Sequence, residues 1–192
     1  MTPVPREVRI IGGQWKRSKL PVADAPGLRP TPDRVRETLF NWLGQDLAGW
    51  RCLDAFAGSG ALGVEAASRG AAEVLLIERD PALVRSLRAS QERLGAARLR
   101  VQPGDALALM RRMPPASYEA VFIDPPFDAN LFEPALAAAA PLAVPGGFVY
   151  LEADRPWDEA ALAALGLAIH RQSRAGAVYF HLLQRSEPAG AP

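Results

Sequence analysis

Arg51-Cys52-Leu53-Asp54-Ala55-Phe56-Ala57-Gly58-Ser59-Gly60-Ala61-Leu62-Gly63 decides the fold of this chain. Its first residues read as a strand, its glycines as a tight loop, and Ala61 onward as a helix stopped by Gly70. Working outward, Glu73–Ile77 is a second strand with Glu78 at its tip. A helix follows over Pro81–Leu94, with Pro81 in the first turn, where a missing N–H costs nothing. Arg98–Val101 is a third strand, and Gly104-Asp105 opens another helix. Tyr118–Ile123 and Phe148–Leu151 are the fourth and fifth strands, and Leu167–His170 pairs antiparallel with Ala177–Leu183. Strands alternating with helices specify an α/β domain, an open and mostly parallel sheet covered on both faces. Ligands of such sheets sit outside the carboxyl ends of the strands, at the switch point. Asp54, Glu78, Asp105 and Asp124 all fall at those ends, and stability alone is a poor reason for four carboxylates on one rim.

The fourth strand carries the chemistry. Ala120-Val121-Phe122-Ile123 is apolar and runs straight into Asp124-Pro125-Pro126-Phe127. The prolines forbid helix and remove two N–H donors, so the chain leaves extended. A carboxylate, backbone carbonyls and an aromatic ring then share one cleft. That set suits a planar base with an exocyclic amine: Asp124 and the Pro125 carbonyl accept its N–H bonds while Phe127 stacks on its face. Taken alone, the tetrapeptide describes equally well a rigid strand exit with Phe127 filling core.

Gly58, Gly60 and Gly63 satisfy the G-x-G-x-x-G pattern of dinucleotide sites, and Glu78 is placed to hold a ribose diol. A nicotinamide-dependent dehydrogenase is therefore a competitor. Asp54 argues against it, because a carboxylate beside the loop repels a pyrophosphate. S-adenosylmethionine carries no phosphate, and its ammonium is attracted by Asp54. Glu78 then takes the ribose hydroxyls, and Asp105 reads the adenine amino edge. Phe56, Ser59, Arg79 and Ala106 complete the expected cofactor set. The competing role for Asp54 alone is a helix or turn cap.

The chain has 192 residues, 49% apolar and 22% charged, which describes one ordinary globular domain. The apolar stretch around Leu136–Val149 is broken by Pro141, Pro145 and Gly146-Gly147, so no membrane span is expected. The single Cys52, inside a strand, reads as a buried structural thiol, and with only His170 and His181 no metal site is expected. The charge is uneven. Residues 1–51 hold nine Lys/Arg against five Asp/Glu, and the remainder thirteen against sixteen. A basic amino-terminal segment on a mildly acidic body fits contact with a polyanion, or simply a solvated face.

That segment reads as a hairpin: a strand over Val8–Ile11, a turn at Gly12-Gly13 and a return strand over Trp15–Val22. Lys16, Arg17 and Lys19 crowd around Trp15, the mixture of cations and stacking surface that nucleic acid favours. Asp33 reads as an N-cap, and Val35, Leu39, Phe40 and Leu43 give an amphipathic helix ending around Gly44. Arg34 and Arg36 fall off its apolar stripe. Arg9, Lys16, Arg17, Lys19, Arg34 and Arg36 are thus the candidate nucleic-acid contacts. For Arg34 and Arg36 the alternative is ion pairing with the carboxylate rim.

Asp54–Gly60, Glu78, Asp105 and Asp124–Phe127 resemble the class I S-adenosylmethionine-dependent methyltransferases of exocyclic amines. More closely, Arg9–Gly13, Arg29–Asn41 and the D-P-P-F are similar to the bacterial 16S rRNA guanine-N2 methyltransferases that modify guanine 966, up to about residue 184. The resemblance implies a Rossmann-like, seven-stranded, mostly parallel sheet with an antiparallel last strand. It divides the chain into a hairpin extension over 1–32, a methyltransferase domain over 33–185 and a short tail. It implies S-adenosylmethionine as cofactor and 16S rRNA in assembling 30S particles as partner, for a cytoplasmic monomer. Asp128-Ala129-Asn130 follows the D-P-P-F where many members carry basic residues, which shifts RNA phosphate contact to the amino-terminal candidates. Adenine-N6 methylation of DNA or RNA is the alternative within the class. A non-catalytic RNA-binding protein is the alternative outside it.

Overall fold

The structure is a computed structural model that describes residues 7–22, 30–126 and 130–187. In chain order the elements are β1 (Glu7–Arg9), β2 (Lys19–Pro21), α1 (Asp33–Trp42), β3 (Arg51–Asp54), α2 (Ala61–Ser68), β4 (Glu73–Glu78), α3 (Pro81–Arg93) and β5 (Leu99–Pro103). There follow α4 (Ala106–Met110), β6 (Tyr118–Ile123), α5 (Phe132–Ala139), β7 (Ala143–Ala153), α6 (Glu159–Ala164), β8 (Leu167–Ala175) and β9 (Val178–Arg185). Seven strands form one sheet in the order β5-β4-β3-β6-β7-β9-β8, and β1 and β2 form a separate pair. The α/β sheet expected from the alternation is present, and β9 alone runs antiparallel to its neighbours β7 and β8. Among the described residues no helix is long and apolar enough to cross a membrane.

Two compact units divide the chain, Met1–Ala106 and Leu107–Pro192. In the first, β3, β4 and β5 pair in parallel, with Cys52 and Leu53 of β3 and Leu76 of β4 fully buried. Aliphatic side chains covered on both faces supply the stability, about 1.5–3 kcal/mol for each fully buried one. Asp80 caps α3 by accepting from the amides of Ala82 and Leu83 at 2.7 and 3.2 Å. Cys52 has no exposed surface, as its place in a strand predicts.

The hairpin differs from expectation on its return side. Val8 pairs with Leu20 and Arg9 with Lys19, so the second strand is only Lys19–Pro21. Trp15–Arg17 lie in a turn, because the intervening loop spends its hydrogen bonds on α2 instead. The Gln14 amide donates to the Ser68 carbonyl at 2.7 Å, the Trp15 amide to Ser68 Oγ at 2.9 Å, and Ser68 Oγ donates to the Gly12 carbonyl at 2.6 Å. A Cβ on Gly13, whose φ is +73°, would stand 1.8 Å from the Ser68 carbonyl oxygen. Gly12-Gly13 therefore permit a close approach of backbone to helix as well as a turn.

In the second unit β6 and β7 pair in parallel, and β9 bridges β7 to β8. β7 is longer than the expected Phe148–Leu151. Its register against β6 jumps from Tyr118–Ala143 to Ala120–Phe148, so residues 144–147 bulge out, which accommodates Pro145 inside a strand.

Candidate active site

Three strand ends of the first unit are laced together. The Ala57 amide donates to the Ile77 carbonyl at 2.9 Å, and the Gly104 amide to the Glu78 carbonyl at 3.0 Å. Glu78, half-buried at the tip of β4, accepts from the Gly58 amide at 2.9 Å and from the Asp80 amide at 2.9 Å. Each carboxylate oxygen is thus oriented by one backbone donor, and further lone pairs remain for hydroxyl donors. Around it lie half-buried Phe56, buried Ser59, exposed Arg79, exposed Asp105 and buried Ala106.

Asp54 is 2% exposed and accepts from the Gly63 amide at 2.9 Å. This is the capping role that competed for it in the sequence, and it bears on the cofactor. A first-turn amide of α2, which a pyrophosphate would need, is already taken by a carboxylate. The glycines serve packing as well. A Cβ on Gly60 (φ +80°) would stand 2.7 Å from Leu87, and one on Gly63 would stand 2.2 Å from Leu76. Glu78, oriented by two amides and with lone pairs left for hydroxyl donors, fits an adenosyl group with a free diol, and the amide already taken by Asp54 does not fit a pyrophosphate.

In the second unit, Ala120–Ile123 are each at most 1% exposed and deliver Asp124 to the end of β6. Asp124 is half-buried, Pro125 buried and Pro126 exposed. Phe127, expected to stack on the base, lies outside the described residues, as do Asp128 and Ala129. On the adjacent strand β7, Tyr150 donates its hydroxyl to Glu152 Oε1 at 3.0 Å, with both residues buried. Neither was expected at the site. Glu152 is a single acid closing an apolar run, a signal visible in the sequence but without meaning until β7 is aligned with β6.

The candidate RNA contacts separate. Lys16, Arg17 and Arg34 are exposed. Arg9 and Lys19 are also exposed, but they pair with Asp33 at 3.1 Å and Glu7 at 2.7 Å. Arg36 corrects the expectation outright. Its side chain has no exposed surface, and it donates to Asp33 Oδ1, Glu65 Oε2 and the carbonyls of Thr31 and Arg9. The clamp predicted as its alternative exists, formed with Glu65 and Asp33 rather than with the rim. Asp33 is the first residue of α1 and not its cap; its carboxylate is committed to the two arginines. The sequence reading also passed over Arg171 and Arg174, both exposed on β8 in a hairpin without acidic residues. The Arg174 guanidinium stacks 4.9 Å from the Tyr179 ring centroid.

Fold and rim together define a class I methyltransferase. The family model described as conserved hypothetical protein 95 matches residues 8–184. The Ribosomal RNA small subunit methyltransferase D of Escherichia coli is 42% identical over 181 residues, covering 93% of this chain and 90% of the relative. Its namesake from Haemophilus influenzae is 36% identical over 183 residues, covering 93% and 94%. The solved structure of Escherichia coli yhhF superposes with a TM-score of 0.81 at 38% identity, covering 95% of this chain and 99% of that one. The chain belongs to the conserved hypothetical protein 95 family, together with these small-subunit rRNA methyltransferases.

Proposed function

We propose that this chain methylates the exocyclic N2 amine of a guanine in 16S rRNA, guanine 966 by resemblance, with S-adenosylmethionine as methyl donor. It acts as a cytoplasmic monomer on assembling 30S particles. One observation carries the reading: a strand buried from Ala120 to Ile123 runs into Asp124-Pro125-Pro126 in a chain whose relatives are named for methylating small-subunit rRNA.

When bound, S-adenosylmethionine would supply an electrophilic methyl group, its electron pair to carbon staying on sulfur, and the proton lost from N2 would pass to Asp124 or to water. The residues of this chain bind and orient. Glu78, held by two amides, accepts the ribose hydroxyls. Asp54 attracts the ammonium of the methionine end, and its negative charge disfavours a phosphate-bearing cofactor. Asp105 and the Ala106 amide read the adenine edge; Phe56, Gly58, Ser59, Gly60 and Arg79 line the remainder.

Guanine N2 is a weak nucleophile because its lone pair is delocalised into the ring. Acceptance of its two N–H bonds by Asp124 and the Pro125 carbonyl favours a pyramidal nitrogen whose lone pair is available. Phe127 stacks on the base, which must leave its own stack to enter. Orientation of this kind is worth up to about 7–11 kcal/mol of barrier. Lys16, Arg17 and Arg34 neutralise phosphates, with Arg9 and Lys19 contributing where their surface pairs open.

The test incubates the purified chain with unmethylated small-subunit RNA, free and in particles, and isotope-labelled S-adenosylmethionine. Nucleosides are then identified by mass. Labelled N2-methylguanosine is the expected product. Labelled N6-methyladenosine would move the reading to adenine, and calorimetric binding of NAD without S-adenosylmethionine would overturn the cofactor.

A further inference from the structure

Strand β7 ends in a second carboxylate beside the first. Ile123 lies opposite Leu151 in the parallel pairing of β6 and β7. One residue further along each strand, Asp124 therefore comes beside Glu152, on strands about 4.8 Å apart. Glu152 is 5% exposed, and Tyr150, 1% exposed, holds its Oε1 through a 3.0 Å hydrogen bond. Burial pushes the Tyr150 phenol well above its ordinary range, and the charges of Glu152 and then Asp124 push it further. Both carboxylates thus act on one phenol. Two neighbouring acids at a sheet end, Glu152 buried and Asp124 half-buried, cost stability through mutual repulsion and lost hydration. A pair of aliphatic residues would serve the core better, so the explanation lies in what the pair can accept.

We infer that Glu152 determines base specificity, accepting the N1–H of the target guanine while Asp124 accepts an N2–H. This rests on the guanine-N2 reading above. The Watson–Crick edge of guanine carries N1–H and N2–H side by side, two donors in a row. Adenine carries its amine beside an unprotonated N1, which is an acceptor. An ionised carboxylate only accepts, so two adjoining carboxylates match guanine and oppose the N1 lone pair of adenine. Tyr150 makes the discrimination sharp by holding Glu152 in one orientation. The phenol occupies one of about four lone-pair sites on that carboxylate.

The experiment compares small-subunit RNAs carrying guanine or 2-aminopurine at the methylated position, built by splinted ligation and offered free and reassembled with small-subunit proteins. 2-Aminopurine keeps the exocyclic amine but has an unprotonated N1. Wild-type chain is expected to prefer guanine by at least about tenfold in kcat/KM, because a site built for a donor rejects the analogue lacking it. Glu152→Gln, whose amide can donate to N1, narrows the preference to within about threefold. Tyr150→Phe leaves Glu152 unanchored and narrows it in the same direction by a smaller factor. Circular dichroism and S-adenosylmethionine binding report whether each variant is folded; if Glu152→Gln is not, Tyr150→Phe carries the comparison. A folded variant that keeps the wild-type preference, or a wild type without one, overturns the inference and leaves the guanine-N2 reading standing. No methyl transfer to either RNA by the wild type overturns that reading, and the inference falls with it.

Discussion

Arg36 of α1 and Glu65 of α2 meet at 3.3 Å with neither side chain exposed to solvent. Glu65 also accepts from the Ile11 and Gly12 amides at 2.9 and 2.8 Å and from Arg69 Nε at 2.9 Å. One carboxylate therefore joins the loop of the hairpin, α1 and the end of α2. Removing Glu65 strands Arg36 in the interior together with Arg69 and both amides, at a cost of about 3–5 kcal/mol, whereas removing Arg36 leaves Glu65 with Arg69 and the amides and costs less. Arg36→Leu and Glu65→Leu should each lower the denaturant midpoint accordingly. The double variant should stay close to Glu65→Leu, since Arg69 and the Ile11 and Gly12 amides lose their acceptor in both. A purely RNA-contacting Arg36 would leave the midpoint unchanged.

Asp124→Ala should abolish methyl transfer while leaving S-adenosylmethionine affinity within several-fold, since the proposed acceptors of Asp124 serve the base and not the cofactor. Glu78→Ala should do the reverse, weakening cofactor binding by about 1.5–3 kcal/mol through loss of a charged hydrogen bond. Calorimetry and a transfer assay on both variants separate the two roles. Near wild-type turnover by folded Asp124→Ala would refute the catalytic loop.

His181 lies on β9 opposite Leu151, with no exposed surface, and among the described residues neither ring nitrogen has a hydrogen-bond partner of ordinary geometry. Burial lowers its pKa, opposed by the Leu151 backbone. The fold therefore holds the neutral ring, while the unfolded chain takes a proton near pH 6.5. Stability should be flat in this respect above about pH 6.5 and should fall as pH drops below it. Thermal midpoints at pH 7.5 and 5.5 measure the effect, and His181→Leu should reduce the difference between them.

Neutralising Lys16 and Arg17 together should weaken rRNA binding and reduce its salt slope by roughly two, with S-adenosylmethionine affinity intact. Arg171→Ala with Arg174→Ala provides the contrast, since those cations stand on the β8 edge of the second unit. Loss of RNA affinity only in the second pair would move the phosphate contacts to that hairpin. Equal loss of RNA and cofactor binding in the first pair would make the amino-terminal loop scaffold.

Local patterns carried much of this protein. Tyr118–Ile123 as a strand, Pro81 opening a helix, and Asp54, Glu78, Asp105 and Asp124 at strand ends follow from propensity, apolar runs and glycine and proline stereochemistry. Each depends on neighbours within a few residues, so the sequence alone suffices. What it could not decide depended on partners far along the chain. Arg36 reads as an RNA contact, or as an ion pair with the carboxylate rim, until Glu65, in a helix from another part of the sequence, is brought against it. Gly63 reads as part of a phosphate loop until Leu76 and Asp54 occupy the space of its missing side chain. Glu152 reads as an ordinary polar end to a strand until the register of β6 and β7 sets it beside Asp124. Burial and charge pairing are properties of three-dimensional neighbours. The sequence therefore determined which residues could serve the chemistry, and tertiary packing decided which of them were free to do so.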